Sequence, residues 1–504
     1  MSMHYCQRLI NRQKLLYNTK KKYRPFSTNR HTDLSIQSDF VSIALTSEQK
    51  ENMQIIVKPS WFAFTLLIIY VNLSQQQPST KALPGTSETW EQIIKGNKVY
   101  VDKTKYLREM LESWPTRAFW LLTRPRRFGK SVFVRMAKNF LQGNDELFKG
   151  LDIYNDGNTK FFNACCGKIY DSAWTQFPVL HLDFNEINEF NTFEELKLRY
   201  KSLLEAAVKS YGSDPTTLTY CGMSDVITEL YLHSNRSPVM VLIDEYDKQF
   251  HTAKYVLKND TLAKRIALFM TDILSEVKGS YGSGKVGFVF VTGVTKAVLQ
   301  ITESGAANDF EDVTYDSLFN DAFGFTENEI RSYMRDHLTE FAREKTYLPE
   351  DDESPEDQIM KDLKDMYDGY RFHIRNNSAT KIFNPVSVIE SLTNKDLQKY
   401  WCATSSNEYV IERLYEESRD CYLHDDIHGY VFEVVERDAL NARNSIEVST
   451  KLPIYMLTYG YLTVKNYSAE RNAIDLTFPN TEMKDYIRME LEEYRPPRHK
   501  VYKH

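Results

Sequence analysis

Cysteine, long apolar runs and the common hydrolase signatures are what this chain has little of. Its six cysteines, Cys6, Cys165, Cys166, Cys221, Cys402 and Cys421, include no Cys-x-x-Cys pair. That excludes a disulfide framework and a zinc site of paired cysteines, and it points to reduced thiols in an intracellular protein. The apolar run Trp61–Leu73 has thirteen residues, short of the roughly 20 that a membrane-spanning helix needs, so no membrane span is expected. The run fits a signal-peptide core set too deep in the chain, a buried helix, or part of an N-terminal extension, and the sequence leaves these open. The eleven histidines form no His-Glu-x-x-His motif, and no Gly-x-Ser-x-Gly marks a hydrolase serine.

Acid is missing from the start of the chain. Residues 1–32 carry eight Lys/Arg and no Asp or Glu, which against a net charge of −6 leaves −14 on the remaining 472. That basic start reads as an organelle presequence or a solvated tail, so cytoplasm is the expected compartment and the mitochondrion the alternative. The acidic remainder argues against a broad nucleic-acid-binding face, although a local groove stays open. With 42% hydrophobic and 13% aromatic residues, the chain carries enough apolar side chains for two or three globular cores.

The most informative stretch is Arg124-Pro125-Arg126-Arg127-Phe128-Gly129-Lys130-Ser131. Ala118 to Thr123 is a short apolar run fit for an interior strand, and from Val132 to Leu141 the apolar positions take helical spacing. A strand, a glycine-bearing loop and a helix in that order make a phosphate site. Gly129 lets the backbone approach, Lys130 neutralises β- and γ-oxygens, and Ser131 offers a hydroxyl to Mg²⁺. The helix beginning there turns its free N–H groups and positive end toward the anion. The full phosphate-loop pattern wants glycine at position 124, where Arg124 stands. With Arg126 and Arg127 it is expected to add charge-assisted contacts to phosphate.

Three more apolar runs follow, separated by helical sequence: Val179–Phe184, Val239–Asp244 and Lys285–Val294. Strands alternating with helices imply a mostly parallel sheet with helices on both faces, and such a sheet places its ligand at the carboxyl ends of its strands. The second run ends in Asp244-Glu245-Tyr246-Asp247. Adjacent carboxylates at the end of a fully apolar strand are costly without a task. Asp244 is the candidate Walker B acid for Mg²⁺, and Glu245 the candidate base for the attacking water. The third run ends in Thr292-Gly293-Val294-Thr295-Lys296, where Thr292 is the candidate γ-phosphate sensor.

These residues resemble the predicted AAA-ATPase-like family. The matching stretches are Tyr100-Val101-Asp102-Lys103-Thr104, the arginine-rich loop at 124–131, Leu242-Ile243-Asp244-Glu245-Tyr246-Asp247 and Thr292–Lys296. Phe323-Gly324-Phe325-Thr326-Glu327, Tyr367-Asp368-Gly369-Tyr370 and Asn384-Pro385-Val386-Ser387-Val388 follow in order, so the resemblance spans roughly residues 83–485. In that family the arginine-rich loop is the normal form. The resemblance implies an AAA-type core followed by a helical region. Many members also end in a PD-(D/E)xK nuclease, from which this chain departs. Asp475 and Glu482-Met483-Lys484 mimic its signature, but Asn480 reads as an N-cap and Met483, Tyr486, Ile487 and Leu491 follow at helical spacing.

The expected organisation is an N-terminal extension over 1–80, an α/β P-loop NTPase domain over 81–325, and a mainly helical lid region over 326–500. Asp351–Asp357 is expected as an acidic surface loop, and Val431–Asn466 as helices ending in a strand or hairpin, winged-helix-like in outline. The expected function is an ATPase that binds ATP and Mg²⁺ and acts on a protein partner or on further copies of itself. Glu245, Lys130 and Thr292 would serve catalysis, Ser131 and Asp244 the metal, and Arg124, Arg126, Arg127, Phe128, Gly129, Lys130 and Ser131 the nucleotide. Two rival readings remain open: a nucleotide-dependent switch or scaffold with little turnover, and a nucleic-acid-linked ATPase.

Overall fold

Strands β1 (Phe119–Thr123), β2 (Val179–Asp183), β3 (Val239–Asp244) and β4 (Val286–Gly293) are buried along nearly every residue, not on alternate ones. That pattern belongs to a sheet covered on both faces. The computed structural model describes residues 80–114, 116–155, 174–214, 216, 222–296, 298, 309–345, 354–402, 408–418, 432–435 and 452–494. In it the four strands and the short β5 (Glu311–Asp312) form one sheet in the order β2-β3-β4-β1-β5, with every pairing parallel. The α/β core expected from the alternating pattern is therefore present. Strand β4 lies between the strand that leads into the phosphate loop and the strand that carries the paired acids.

Helices α1 (Trp90–Lys95) and α2 (Thr104–Glu112) precede the sheet, and α3 (Lys130–Leu141) follows β1 directly. The crossovers between β2, β3 and β4 are α4 (Phe193–Ser210), α5 (Met223–His233), the single turn α6 (Lys248–His251) and α7 (Asp260–Gly282). Their starts are set locally: Thr192 accepts the N–H of Glu195 and Asn259 that of Leu262, the usual relief for free N–H groups at a helix start.

Beyond the sheet, Thr326 and Glu329 form a reciprocal cap for α8 (Glu327–Tyr333). Helices α9 (Arg335–Lys345), α10 (Pro355–Tyr367) and α11 (Pro385–Asn394) follow, with an apolar core of their own that includes Ile330, Leu338, Phe341, Leu363 and Val388. The second half of the expected acidic loop is helical: Ser354 caps α10 and Pro355 occupies its first turn, where proline has no N–H to lose. The remaining elements are α12 (Glu408–Ser418), β6 (Phe432–Val435), α13 (Leu452–Tyr459), β7 (Thr463–Ser468), β8 (Ala473–Thr477) and α14 (Thr481–Glu493). The three strands form an antiparallel sheet in the order β6-β8-β7, so this region holds more strand than the hairpin expected near residues 460–464. Glu482 and Lys484 lie on α14, capped by Asn480, as the helical reading of the nuclease mimic requires.

All described residues belong to the unit Ser79–His504. The basic start, the run Trp61–Leu73 and the cysteines other than Cys402 lie outside them; Cys402 is a buried free thiol. Among the described residues no helix is long and apolar enough to cross a membrane.

Candidate functional site

The sheet brings the phosphate loop and the paired acids together at the carboxyl ends of β1 and β3. After β1 the N–H of Arg124 still bonds to the carbonyl of Gly293, 3.1 Å away, and the chain then leaves the sheet as a loop. Arg127 has φ 67° and Gly129 φ 92°. A Cβ built on Gly129 would meet nothing within 4 Å, so glycine serves the left-handed turn here and leaves open space before the start of α3. Lys130, 3% exposed, directs its amine back across the loop to the Pro125 carbonyl at 3.2 Å and to Glu245 Oε1 at 3.1 Å.

Glu245 sits in a turn with φ 51° immediately after β3. Next to it, Asp244 is buried, with its backbone in register with Asp183 at the end of β2. Burial first, then the charge of Glu245, pushes the Asp244 carboxyl well above the usual carboxylate range, while the Ser131 hydroxyl works in the opposite direction. Its Oδ1 is buried and has no hydrogen-bond partner. A buried carboxylate oxygen without a donor is costly. A magnesium ion between Asp244 and Ser131 is the kind of partner it lacks, so the residues present fit the metal.

A cavity of about 490 Å³ opens over this group, within the 300–1,000 Å³ range of ligand sites. Arg126, Arg127, Gly129, Lys130, Ser131 and Glu245 line it. Sequence reasoning missed several other lining residues. Lys248 opens α6, four residues after Asp244, and its amine reaches the Asn185 carbonyl at 3.2 Å. A cation that close after the paired acids was the available signal. Pro84, Ile93, Val386 and Ile389 form an apolar part of the wall, and nothing local marks them, since α11 is more than 250 residues from the loop. Trp401 donates its indole N–H to the Arg126 carbonyl at 2.9 Å, which joins the C-terminal region to the phosphate loop.

Four candidates do not join the cavity wall: Asp244, buried at the end of β3, and Arg124, Phe128 and Thr292. Arg124 is buried, and its guanidinium donates to the carbonyls of Thr123 (3.0 Å), Thr314 and Phe319 (2.7 Å). It also stacks on Phe372 at 4.2 Å. Burial lowers its pKa to about 9. The expected phosphate contact is thus replaced by an anchoring one, because the sheet register turns this side chain beneath the loop. Phe128 packs on Tyr370 and Phe372, so only its backbone belongs to the loop's exposed side. Thr292 is fully buried and donates its hydroxyl to the Leu122 carbonyl at 2.7 Å; a sensor hydroxyl at that position is not free to face a phosphate.

The strand tip acts through its neighbours instead. Asp247 accepts the N–H of Val294 (3.0 Å) and of Thr295 (2.6 Å), and it pairs with His251 Nε2 at 2.8 Å. A Cβ on Gly293 would lie 2.4 Å from Asp247 Oδ1, so this approach requires glycine. His251 also contacts the hydroxyl of Tyr459 on α13 and lines the cavity.

Sequence comparisons place the core among known proteins. Residues 84–301 match the predicted AAA-ATPase family. An uncharacterized protein in the vnfD 5′ region of Azotobacter chroococcum mcd 1 is 24% identical over 415 residues, which cover 81% of this chain and 69% of that protein. The matched segment contains the phosphate loop, the paired acids and all four long strands of the parallel sheet. Residues 84–301 of this chain, which hold its P-loop core, are thus similar to the predicted AAA-ATPase family.

Proposed function

We propose that the chain binds ATP with Mg²⁺ in the 490 Å³ cavity and hydrolyses it, and that the nucleotide state repositions the C-terminal region against a protein partner or a further copy of the chain. The observation that carries this reading is the meeting of Lys130, Ser131, Asp244 and Glu245, with a buried acceptor on Asp244 left for a metal. Bound magnesium would offset charge on the phosphate oxygens and orient them. Arg126, Arg127, Lys130 and Lys248 supply the cationic wall for the triphosphate, and Pro84, Ile93, Val386 and Ile389 an apolar wall for the base.

Lys130 holds Glu245 in an ion pair. Phosphate oxygens compete for that amine, which frees the Glu245 carboxylate to accept a proton from water. Lys130 also donates to the carbonyl of Pro125, the neighbour of Arg126, whose own carbonyl accepts the Trp401 indole N–H. Together with Val386 and Ile389 of α11, this gives the nucleotide direct contact with the C-terminal elements. Hydrolysis would thereby shift those elements on the timescale of lid motions.

Purified Glu245→Gln is expected to retain ATP binding and to lose turnover. Equal hydrolysis by wild type and variant would remove Glu245 from catalysis. Binding by both without phosphate release would replace the ATPase with a nucleotide switch.

A further inference from the structure

In a second cavity beside the phosphate loop, two arginines are buried with unused donors. Arg371 is 6% exposed; its backbone N–H donates to Thr463 Oγ1 at 2.9 Å and its Nη1 to the Asn377 carbonyl at 2.7 Å. Its Nε and Nη2 are buried and have no partner. Among the described residues no carboxylate pairs with it, and burial alone lowers its pKa. Arg124 satisfies both Nη atoms on carbonyls, but its buried Nε has no partner either.

Both arginines line one small cavity of about 30 Å³, together with the hydroxyl-bearing residues Thr295, Thr314, Thr458 and Thr463. The volume decides what fits. It exceeds the roughly 10–15 Å³ needed to seat one water and excludes a nucleotide or a peptide segment. Guanidinium groups do not give up their charge at neutral pH, and a buried cation needs a counter-charge. Lys296 at the cavity edge is already matched by Asp312, so Arg371 is left uncompensated. Water would accept its N–H groups and leave the charge; a small anion does both.

We propose that this cavity binds a chloride-sized monovalent anion, which bridges Arg371 of the C-terminal region and Arg124 of the phosphate loop. The site is separate from the nucleotide cavity and does not rest on ATP hydrolysis. The probe is chloride itself. Unfolding of the full chain is followed in sodium chloride and in sodium gluconate at equal ionic strength, because gluconate is too large to enter. Chloride should stabilise the protein; above its dissociation constant, each tenfold rise should shift the folded-to-unfolded ratio about tenfold. Arg371→Met should remove the difference between the salts. Crystals grown in sodium bromide should show an anomalous peak in the cavity. Equal unfolding of the wild type in the two salts overturns the proposal, and the wild-type comparison decides the matter even if the variant does not fold. A bromide peak without chloride-dependent stability marks an adventitious ion only, and it overturns the proposal as well.

Discussion

Glu482 offers the sharpest test of how the C-terminal elements are held. It is 1% exposed at the start of α14. One carboxylate oxygen accepts the Trp401 N–H at 2.8 Å and the other the Ser387 hydroxyl at 2.9 Å. Burial outweighs these donors and raises its pKa from 4.5 to about 7. A carboxyl whose pKa is raised in the folded state holds its proton when the unfolded chain has released it. Between pH 4.5 and about 7 the folded form therefore binds one proton more, and stability falls by about 1.4 kcal/mol per pH unit as pH rises. Across that window the loss is about 3 kcal/mol.

Glu482→Gln keeps the shape and one acceptor oxygen but cannot ionise. The amide should cost about 1 kcal/mol at pH 4.5, through a less favourable contact with Ser387. At pH 8 the variant should be more stable than wild type by about 2 kcal/mol, since the ionisation cost is gone. Guanidinium unfolding of both proteins at half-unit steps from pH 4.5 to 8 measures this, provided the denaturant slope is unchanged. The stability difference must change sign across the window. A difference that stays constant with pH would show that Glu482 is ionised throughout, and the burial argument would fail.

Other perturbations separate anchoring residues from ligand-facing ones. Arg124→Ala should destabilise by about 3 kcal/mol or more, because buried carbonyls lose their donor, while ATP affinity of the folded protein stays within about twofold; calorimetric titration beside a melting curve shows both. Arg126→Ala or Arg127→Ala should do the reverse and weaken ATP about tenfold or more through loss of a charge-assisted contact, with little change in melting. For Asp247, burial is outweighed by His251 and the Thr295 N–H, which hold the carboxyl below its usual range. Its stabilisation is present above pH 3.8 and lost as pH falls through the lowered folded value, so Asp247→Asn should show a smaller loss of stability on acidification than wild type. Trp401→Phe removes one hydrogen bond to the loop and should cost about 1 kcal/mol, with a matching change in ATP affinity if the C-terminal region supports the loop.

What the sequence made legible was what depends on neighbours along the chain. Continuous apolar runs announced buried strands, and Gly129-Lys130-Ser131 and Asp244-Glu245 carried their chemistry in adjacent residues. Which way a loop side chain points is not local information. Arg124 looks like a phosphate ligand by position, yet its N–H continues the ladder to Gly293 and its side chain is committed beneath the loop. Thr292 is turned into the sheet for the same reason, and the tip of β4 is held through Asp247 and Gly293 instead. The remaining motifs are joints between distant segments. Lys103 of the stretch at 100–104 pairs at 2.6 Å with Glu329, which caps α8. In the stretch at 384–388, Asn384 caps α11, Val386 lines the nucleotide cavity, and Ser387 reaches Glu482. Three of the four residues at this helix start thus cap the helix, line the cavity and reach the C-terminal helix. A shift of α11 toward or away from a nucleotide moves Ser387 against Glu482, and Glu482 in turn holds the backbone of Trp401, whose ring holds Arg126. The loop and the far end of the chain are therefore linked by consecutive contacts, the route along which the proposed nucleotide would act on the C-terminal elements.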